Sequence, residues 1–273
     1  MAEVAHSGTA LVAEILAAET APGRGWFWWL GQHSVVVKAG KQIFVIDPYL
    51  APHPARQTPP LFRPEEVTFA DWVLCTHDHL DHIDPEAIPV LAVASPQALF
   101  VAPRATEERM VSLGVPAERL RLLSHEESVV ERQTCIHAIK AKHEFFDEDP
   151  VRGFPYLGYV VEAGGIAFYH AGDTLVWEGL VSTLRNGPTL DVMFLPINGR
   201  DAARYRRHIL GNMTFQEAVD LAGEVRPRLA VPTHWDMFAE NSEDPQKFVE
   251  YLQAKYPGIA TWVGRAGERV AIP

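Results

Sequence analysis

Residues 76–82 read Thr76-His77-Asp78-His79-Leu80-Asp81-His82 and follow directly on the apolar run Trp72-Val73-Leu74-Cys75. Three histidines and two aspartates therefore crowd into six consecutive positions. Neutral imidazole and carboxylate are the ligands that borderline divalent metals such as zinc prefer. Histidines two apart on an extended segment point the same way, so His77 and His79 can grip one ion. A tighter turn at Asp81 and His82 then offers further ligands from the other side.

Working outward, the same arrangement recurs along the chain. The strand-like run Cys135–Lys142 delivers His143, Ile166–His170 delivers Asp173, and Leu229–Pro232 delivers His234, just as Trp72–Cys75 delivers His77. Each candidate ligand sits shortly past the end of an apolar strand, and strands ending along one sheet edge would gather these groups where α/β sites usually form. His77, His79 and His143 make one set. Asp81, His82 and His234 make another, with Asp173 placed to bridge them. This set suits two divalent ions, zinc or manganese with iron as the further option. Such a pair lowers the pKa of a shared water to about 7 and polarises a scissile carbonyl or phosphoryl oxygen. On this reading Asp81 and Asp173 are the catalytic carboxylates. Asp78 alternates away from His77 and His79 and is assigned to proton relay or support of the loop. Asp47, ending the run Ile43–Ile46, is expected to hydrogen-bond the outer nitrogen of a ligand histidine and fix its tautomer. His33, His53, His125, His137 and His208 are read as surface or core residues, and so is His170, although it precedes the Ala-Gly-Asp turn closely enough for lining the site to be its other reading.

The 273 residues carry a formal net charge of −11, with 47% hydrophobic and 22% charged residues, the composition of a globular protein with a sizeable core. An acidic surface argues against nucleic acid as a partner. It leaves room for a small anionic substrate in a locally basic pocket. Cys75 and Cys135 lie in apolar contexts and read as core filler rather than a disulfide framework. No segment approaches membrane-spanning length, and the expected compartment is the cytoplasm.

The chain reads as one domain over 1–273, with an N-terminal helix and turn in residues 1–25. Two strands are expected next, Trp26–Lys38 and Gln42–Ile46, joined at Ala39-Gly40. Ala51–Pro64 is a proline-rich loop. Helices at Pro85–Val93 and Thr106–Leu113 flank a strand at Ala98–Ala102. Leu157–Val161 pairs with Ile166–His170 across Gly164-Gly165. Val192–Pro196 is a further strand, and Thr214-Phe215-Gln216-Glu217 is a capping box opening a helix expected to stop at Gly223. Between these last two elements lies a basic island, Ile197–Met213, carrying Asn198, Arg200, Arg204, Arg206, Arg207 and His208. Arg200 or Arg204 could hold a substrate phosphate bidentately, beside backbone amides at the helix start. Asn198 belongs to the same surface. An inter-subunit face, hence a homo-oligomer, is the other reading of this island. Trp26, Trp28, Phe145, Phe146 and Tyr156 are candidates for an apolar wall, with Tyr156 facing substrate.

The heptapeptide, the later lone histidine, the turn Ala171-Gly172-Asp173-Thr174 and the strand-end His234 together resemble the metallo-β-lactamase superfamily. More narrowly, Trp28-Trp29-Leu30-Gly31, Ile46-Asp47, Thr76–Asp84, Tyr169–Asp173, Pro232–Asp236, Gly114-Val115-Pro116 and Trp262-Val263-Gly264 are similar to segments of the ascorbate-6-phosphate lactonase group. The resemblance implies a four-layer αββα sandwich with the same seven ligands. It also implies a hydrolase that opens a small ester or lactone, with a phosphorylated sugar lactone such as ascorbate 6-phosphate as the candidate substrate. The chain departs from that group in being shorter and in offering an imidazole at His143. Phosphodiester cleavage at the same two ions is one alternative. An iron-binding redox protein on the same scaffold is the other, although such proteins usually carry an electron-transfer partner domain.

Overall fold

The computed structural model describes residues 3–273 and is built on two seven-stranded sheets. The first takes β1 (Gly25–Trp29), β2 (Val35–Ala39), β3 (Gln42–Ile46), β4 (Trp72–Leu74), β5 (Leu99–Pro103) and β6 (Leu120–Leu123) in chain order. The second takes β7 (Ser128–Glu131), β8 (Thr134–Lys140), β9 (Leu157–Ala163), β10 (Ile166–His170), β11 (Val192–Pro196), β12 (Leu229–Thr233) and β13 (Ala260–Thr261). The last strand, β14 (Arg269–Ile272), returns to the first sheet beside β1. Each sheet is antiparallel in one half and parallel in the other, from β3 to β6 and from β10 to β13. Helices α1 (Gly8–Ala17), α2 (Ala87–Ala94), α3 (Glu107–Ser112), α4 (Leu180–Arg185), α5 (Ala202–Tyr205), α6 (Phe215–Val225) and α7 (Pro245–Lys255) complete the αββα arrangement. No described helix is long and apolar enough to cross a membrane.

Packing follows from alternation along the strands. Phe168, Val192 and Phe194 turn inward toward the other sheet, where Phe27 meets Phe194 and Phe44 meets Phe168 edge-on at 5.2 and 5.6 Å. Their neighbours Tyr169, Met193 and Leu195 turn outward into a second cluster with Leu180, Leu221, Phe248 and Leu252 of α4, α6 and α7. Strands buried on both faces read as continuous apolar runs, which is why the parallel strands are visible in the sequence.

Strand direction then sets the site. β1, β3 and β4 run one way in the first sheet and β8, β10 and β12 share a direction in the second, so their carboxyl ends lie along one edge. Two segments differ from expectation. The run from Trp26 to Lys38 is two strands, not one, because Gly31 and Gln32 take left-handed φ of 95° and 53° and reverse the chain. The helix expected to end at Gly223 continues to Val225, with Arg226 left-handed at its end. Gly223 instead makes room for the Tyr256 ring, which a Cβ there would meet at 2.2 Å.

Gly172 is the glycine on which the site's shape depends. Its φ is +59°, and a Cβ would lie 2.5 Å from the Leu157 carbonyl oxygen and 3.0 Å from Thr76 Cβ. Gly172→Ala is expected to destabilise the fold by about 2–4 kcal/mol, from left-handed strain plus overpacking. Urea unfolding checks this, and an unshifted midpoint would contradict it.

Candidate metal centre

Seven polar side chains meet where the carboxyl ends of the two sheets face each other. Ligand-type atoms of His77, His79 and His143 lie within 4.8 Å of one another, as do those of Asp81, His82 and His234. A third grouping, His77, His82 and Asp173, joins the two. The Asp173 carboxylate lies between the triads. Its Oδ1 is 3.5 Å from His82 Nε2, and its Oδ2 is 3.3 Å from His234 Nε2 and 3.8 Å from His143 Nε2. Asp81 Oδ2 is 3.6 Å from both His82 Nε2 and His234 Nε2. His77 and His79 converge to 2.8 Å through a tight turn rather than along an extended strand.

Each group is aimed by its neighbours. Asp47, fully buried, accepts from His82 Nδ1 at 2.7 Å and from the Thr76 backbone and hydroxyl at 2.8 Å. This sets the His82 tautomer and turns Nε2 toward Asp81 and Asp173. Asp47 and His234 both hold left-handed backbone, φ 44° and 59°, a strained state that persists where surrounding bonds over-determine it. His33 ties two ligand-bearing strand ends together, with Nε2 on the Gly172 carbonyl at 3.1 Å and Nδ1 on the Thr233 hydroxyl at 2.7 Å. His170 Nε2 donates to the His33 carbonyl at 2.8 Å. Asp84 accepts from the backbone amides of Leu50, Ala51, Glu86 and Ala87, fastening the loop after the heptapeptide.

Electrostatics divide the triads. Burial holds His77 well below the usual imidazole range and brings His143 down to about 4, against the pull of Asp173. His79 is lowered by burial too. At His82 burial is overridden by Asp47, Asp173 and Asp81, which lift it to about 10. His234 is likewise raised against burial by Asp173. Asp173, which burial alone would raise, is held well below the carboxylate range by His234 and His82. The donor set is one that divalent cations take, and the buried His82 Nε2 and Asp173 Oδ1 have no hydrogen-bond partner in the protein. The residues therefore fit a metal centre.

Other expected site residues fall elsewhere. Asp78 faces away, 3.4 Å from Arg109 Nε and half exposed, so it is not part of the cluster. Arg200 is held bidentately by Glu217 at 2.6 and 2.7 Å. Arg204 is bonded to Asp201 and to the Ser242 carbonyl. These two guanidinium groups are thus paired with carboxylates rather than free for a phosphate. The Asn198 amide is engaged by Asn241 and Asn212. Tyr156 does face the first triad, its ring 5.6 Å from His77 and 5.4 Å from His143. Sequence reading missed Gln32, His33 as a strut, and Asp236. The left-handed turn after Trp29 was the available signal, hidden inside an apolar stretch.

The Beta-lactamase superfamily domain matches residues 42–235, well over half the chain, and the chain belongs to that family. It is 29% identical over 227 residues to a UPF0173 protein of Pyrococcus furiosus, covering 83% of this chain and 90% of that one. It is 27% identical to a UPF0173 metal-dependent hydrolase of Thermococcus kodakarensis, covering 81% and 88%. Among solved structures, Igni18, a metallo hydrolase of Ignicoccus hospitalis, superposes with a TM-score of 0.71 at 22% identity, covering 92% and 99%. An isothiocyanate hydrolase from Delia radicum gut bacteria gives 0.67 at 18%, covering 90% and 99%.

Two outcomes follow. At pH 7 the metal-free chain carries an extra proton on His82, which its carboxylate neighbours lift to about 10, whereas burial lowers His77, His79 and His143. Cation uptake at the second triad must displace that proton and should strengthen as pH rises through neutrality, while uptake at the first should not. Calorimetry in buffers of different ionisation enthalpy should read about one proton released, from His82, and none released would contradict this. Separately, Asp47→Asn keeps a residue tolerant of left-handed backbone but removes the charge on His82. Chelator competition should show divalent affinity about tenfold to a hundredfold weaker.

Proposed function

We propose that this chain is a metal-dependent hydrolase that opens small neutral esters or lactones with an apolar portion. The observation that carries the reading is the position of Asp173 between two triads, its Oδ1 beside His82 and its Oδ2 between His234 and His143. Two divalent ions held there would supply Lewis acidity and a water acidified toward neutral pH. His77, His79 and His143 would hold one ion, Asp81, His82 and His234 the other, and Asp173 would touch both. Asp47 and Thr76 keep His82 in the tautomer that presents Nε2. The curated relatives are named metal-dependent hydrolases, which agrees with this assignment.

The substrate class rests on the rim. Leu80, between His79 and Asp81, and Phe145, two residues after His143, are each 64% exposed. The Tyr205 hydroxyl donates to Glu144 beside Phe145, and Tyr156 stands against the first triad. We take these exposed apolar residues, adjacent in sequence to ligand positions, as the recognition surface. A phosphorylated lactone would need Arg200 or Arg204, and both are already paired with carboxylates.

Metal analysis should give two ions per chain, and chelation should abolish turnover of a panel of p-nitrophenyl esters, lactones and bis(p-nitrophenyl) phosphate until metal is restored. Asp173→Ala should remain folded, bind less metal, and lose about a hundredfold or more in kcat/KM. A folded Asp173→Ala variant with full metal and activity would sink the assignment. Preference for the phosphodiester would move it to phosphodiester cleavage.

A further inference from the structure

Gln32 is the neutral side chain that reaches into the second triad. It is buried, and its amide nitrogen lies 2.7 Å from Asp81 Oδ2 and 3.2 Å from His234 Nε2. An ionised carboxylate only accepts, so the end of the amide facing Asp81 is the NH2. That group carries two N–H bonds. One goes to Asp81, and the other faces the His234 imidazole.

The backbone fixes this placement from three directions. The Gln32 amide N–H donates to Asp236 at 2.8 Å. Its carbonyl accepts from the His234 backbone at 2.8 Å and from the Trp29 indole at 3.0 Å. Asp236 is in turn fastened by the Thr58 hydroxyl. All this holds a non-glycine residue at φ 53°, backbone strain of a kind that clusters at working sites.

Resting on the hydrolase reading above, we propose that Gln32 is a catalytic residue, the neutral donor to the oxygen that gains charge during hydrolysis. When His234 Nε2 gives its lone pair to a cation, it no longer accepts from Gln32. The second N–H, buried between Asp81 and His234, is then left without that acceptor, while the other functional groups there, Asp81, Asp173 and the imidazoles, are acceptors or ligands. As water adds to the ester carbonyl, the new C–O bond forms and the carbonyl π pair moves onto oxygen. Gln32 hydrogen-bonds that oxygen. The pair then returns to rebuild the carbonyl as the C–O bond to the alcohol breaks, and the alkoxide leaves with the proton that water gave up. A neutral amide does this without changing the charge at the metal ligands.

Gln32→Met is the test, since it keeps the side-chain length and removes the donor, with Gln32→Ala as the second variant. Three quantities are read: zinc affinity by chelator competition, turnover of p-nitrophenyl butyrate, and affinity for a butylphosphonate monoester as a tetrahedral mimic. Zinc stoichiometry and affinity should stay within about twofold of wild type. kcat should fall about a hundredfold to a thousandfold with KM nearly unchanged, and phosphonate affinity should fall with kcat. A tenfold or greater loss of zinc affinity tracking the loss of kcat would overturn the proposal and make Gln32 a support for Asp81. Unchanged kcat or unchanged phosphonate affinity would overturn it as well. If the wild type binds two ions and turns over no ester, the hydrolase reading fails, and phosphonate affinity alone decides Gln32.

Discussion

A buried carboxylate among imidazoles is the interaction on which the rest depends. Asp173 is almost wholly removed from water, and an unpaired charge there would be very costly. It is tolerable because His82, His143 and His234 approach it from three strand ends. Burial lowers those histidines, and the share of the negative charge that each one sees raises it in opposition. The centre is a single coupled electrostatic object rather than seven separate residues, and a cation is the partner that relieves it.

Rigid positioning of that object comes from groups outside the seven. Asp47, Asp84 and Asp236 each gather backbone amides from loops that would otherwise be free, and His33 crosses from the β1–β2 turn to the ends of β10 and β12. Loop-borne chemistry held by a stiff scaffold is the usual way α/β folds make sites. Here the stiffness is carried by buried carboxylates that accept two or more bonds each. Left-handed backbone at Gln32, Asp47 and His234 is a consequence of chain reversal at the strand ends.

How far the sequence disclosed this depends on where the partners lie. Four of the seven clustered side chains sit inside one heptapeptide, and the rest follow apolar strands, two of them buried throughout, so both the strands and their polar ends stand out. Arg200 and Arg204 misled because a guanidinium looks available until its acceptor is known. Glu217 was visible as part of a capping box, but nothing in spacing said that it would also clamp Arg200. Asp78 shared the heptapeptide with true neighbours of the site and was separated from them only by the turn geometry. Gln32 was illegible for a different reason: an amide has no ligand signature, and its turn lay inside what reads as uninterrupted strand.

Each triad draws from both layers. His77 and His79 follow β4 in the first sheet while His143 follows β8 in the second, and Asp81 and His82 are likewise matched by His234 after β12. Ions seated there would act as rivets through the seam of the sandwich. Apolar packing between Phe27, Phe44, Phe168 and Phe194 resists separation of the sheets without fixing how far one may slide along the other. Directional coordination bonds do fix it. Binding free energy in such a site is also folding free energy, so the durability of this protein would track the free metal around it. A cell poor in that metal would hold a softer molecule as well as a less active one.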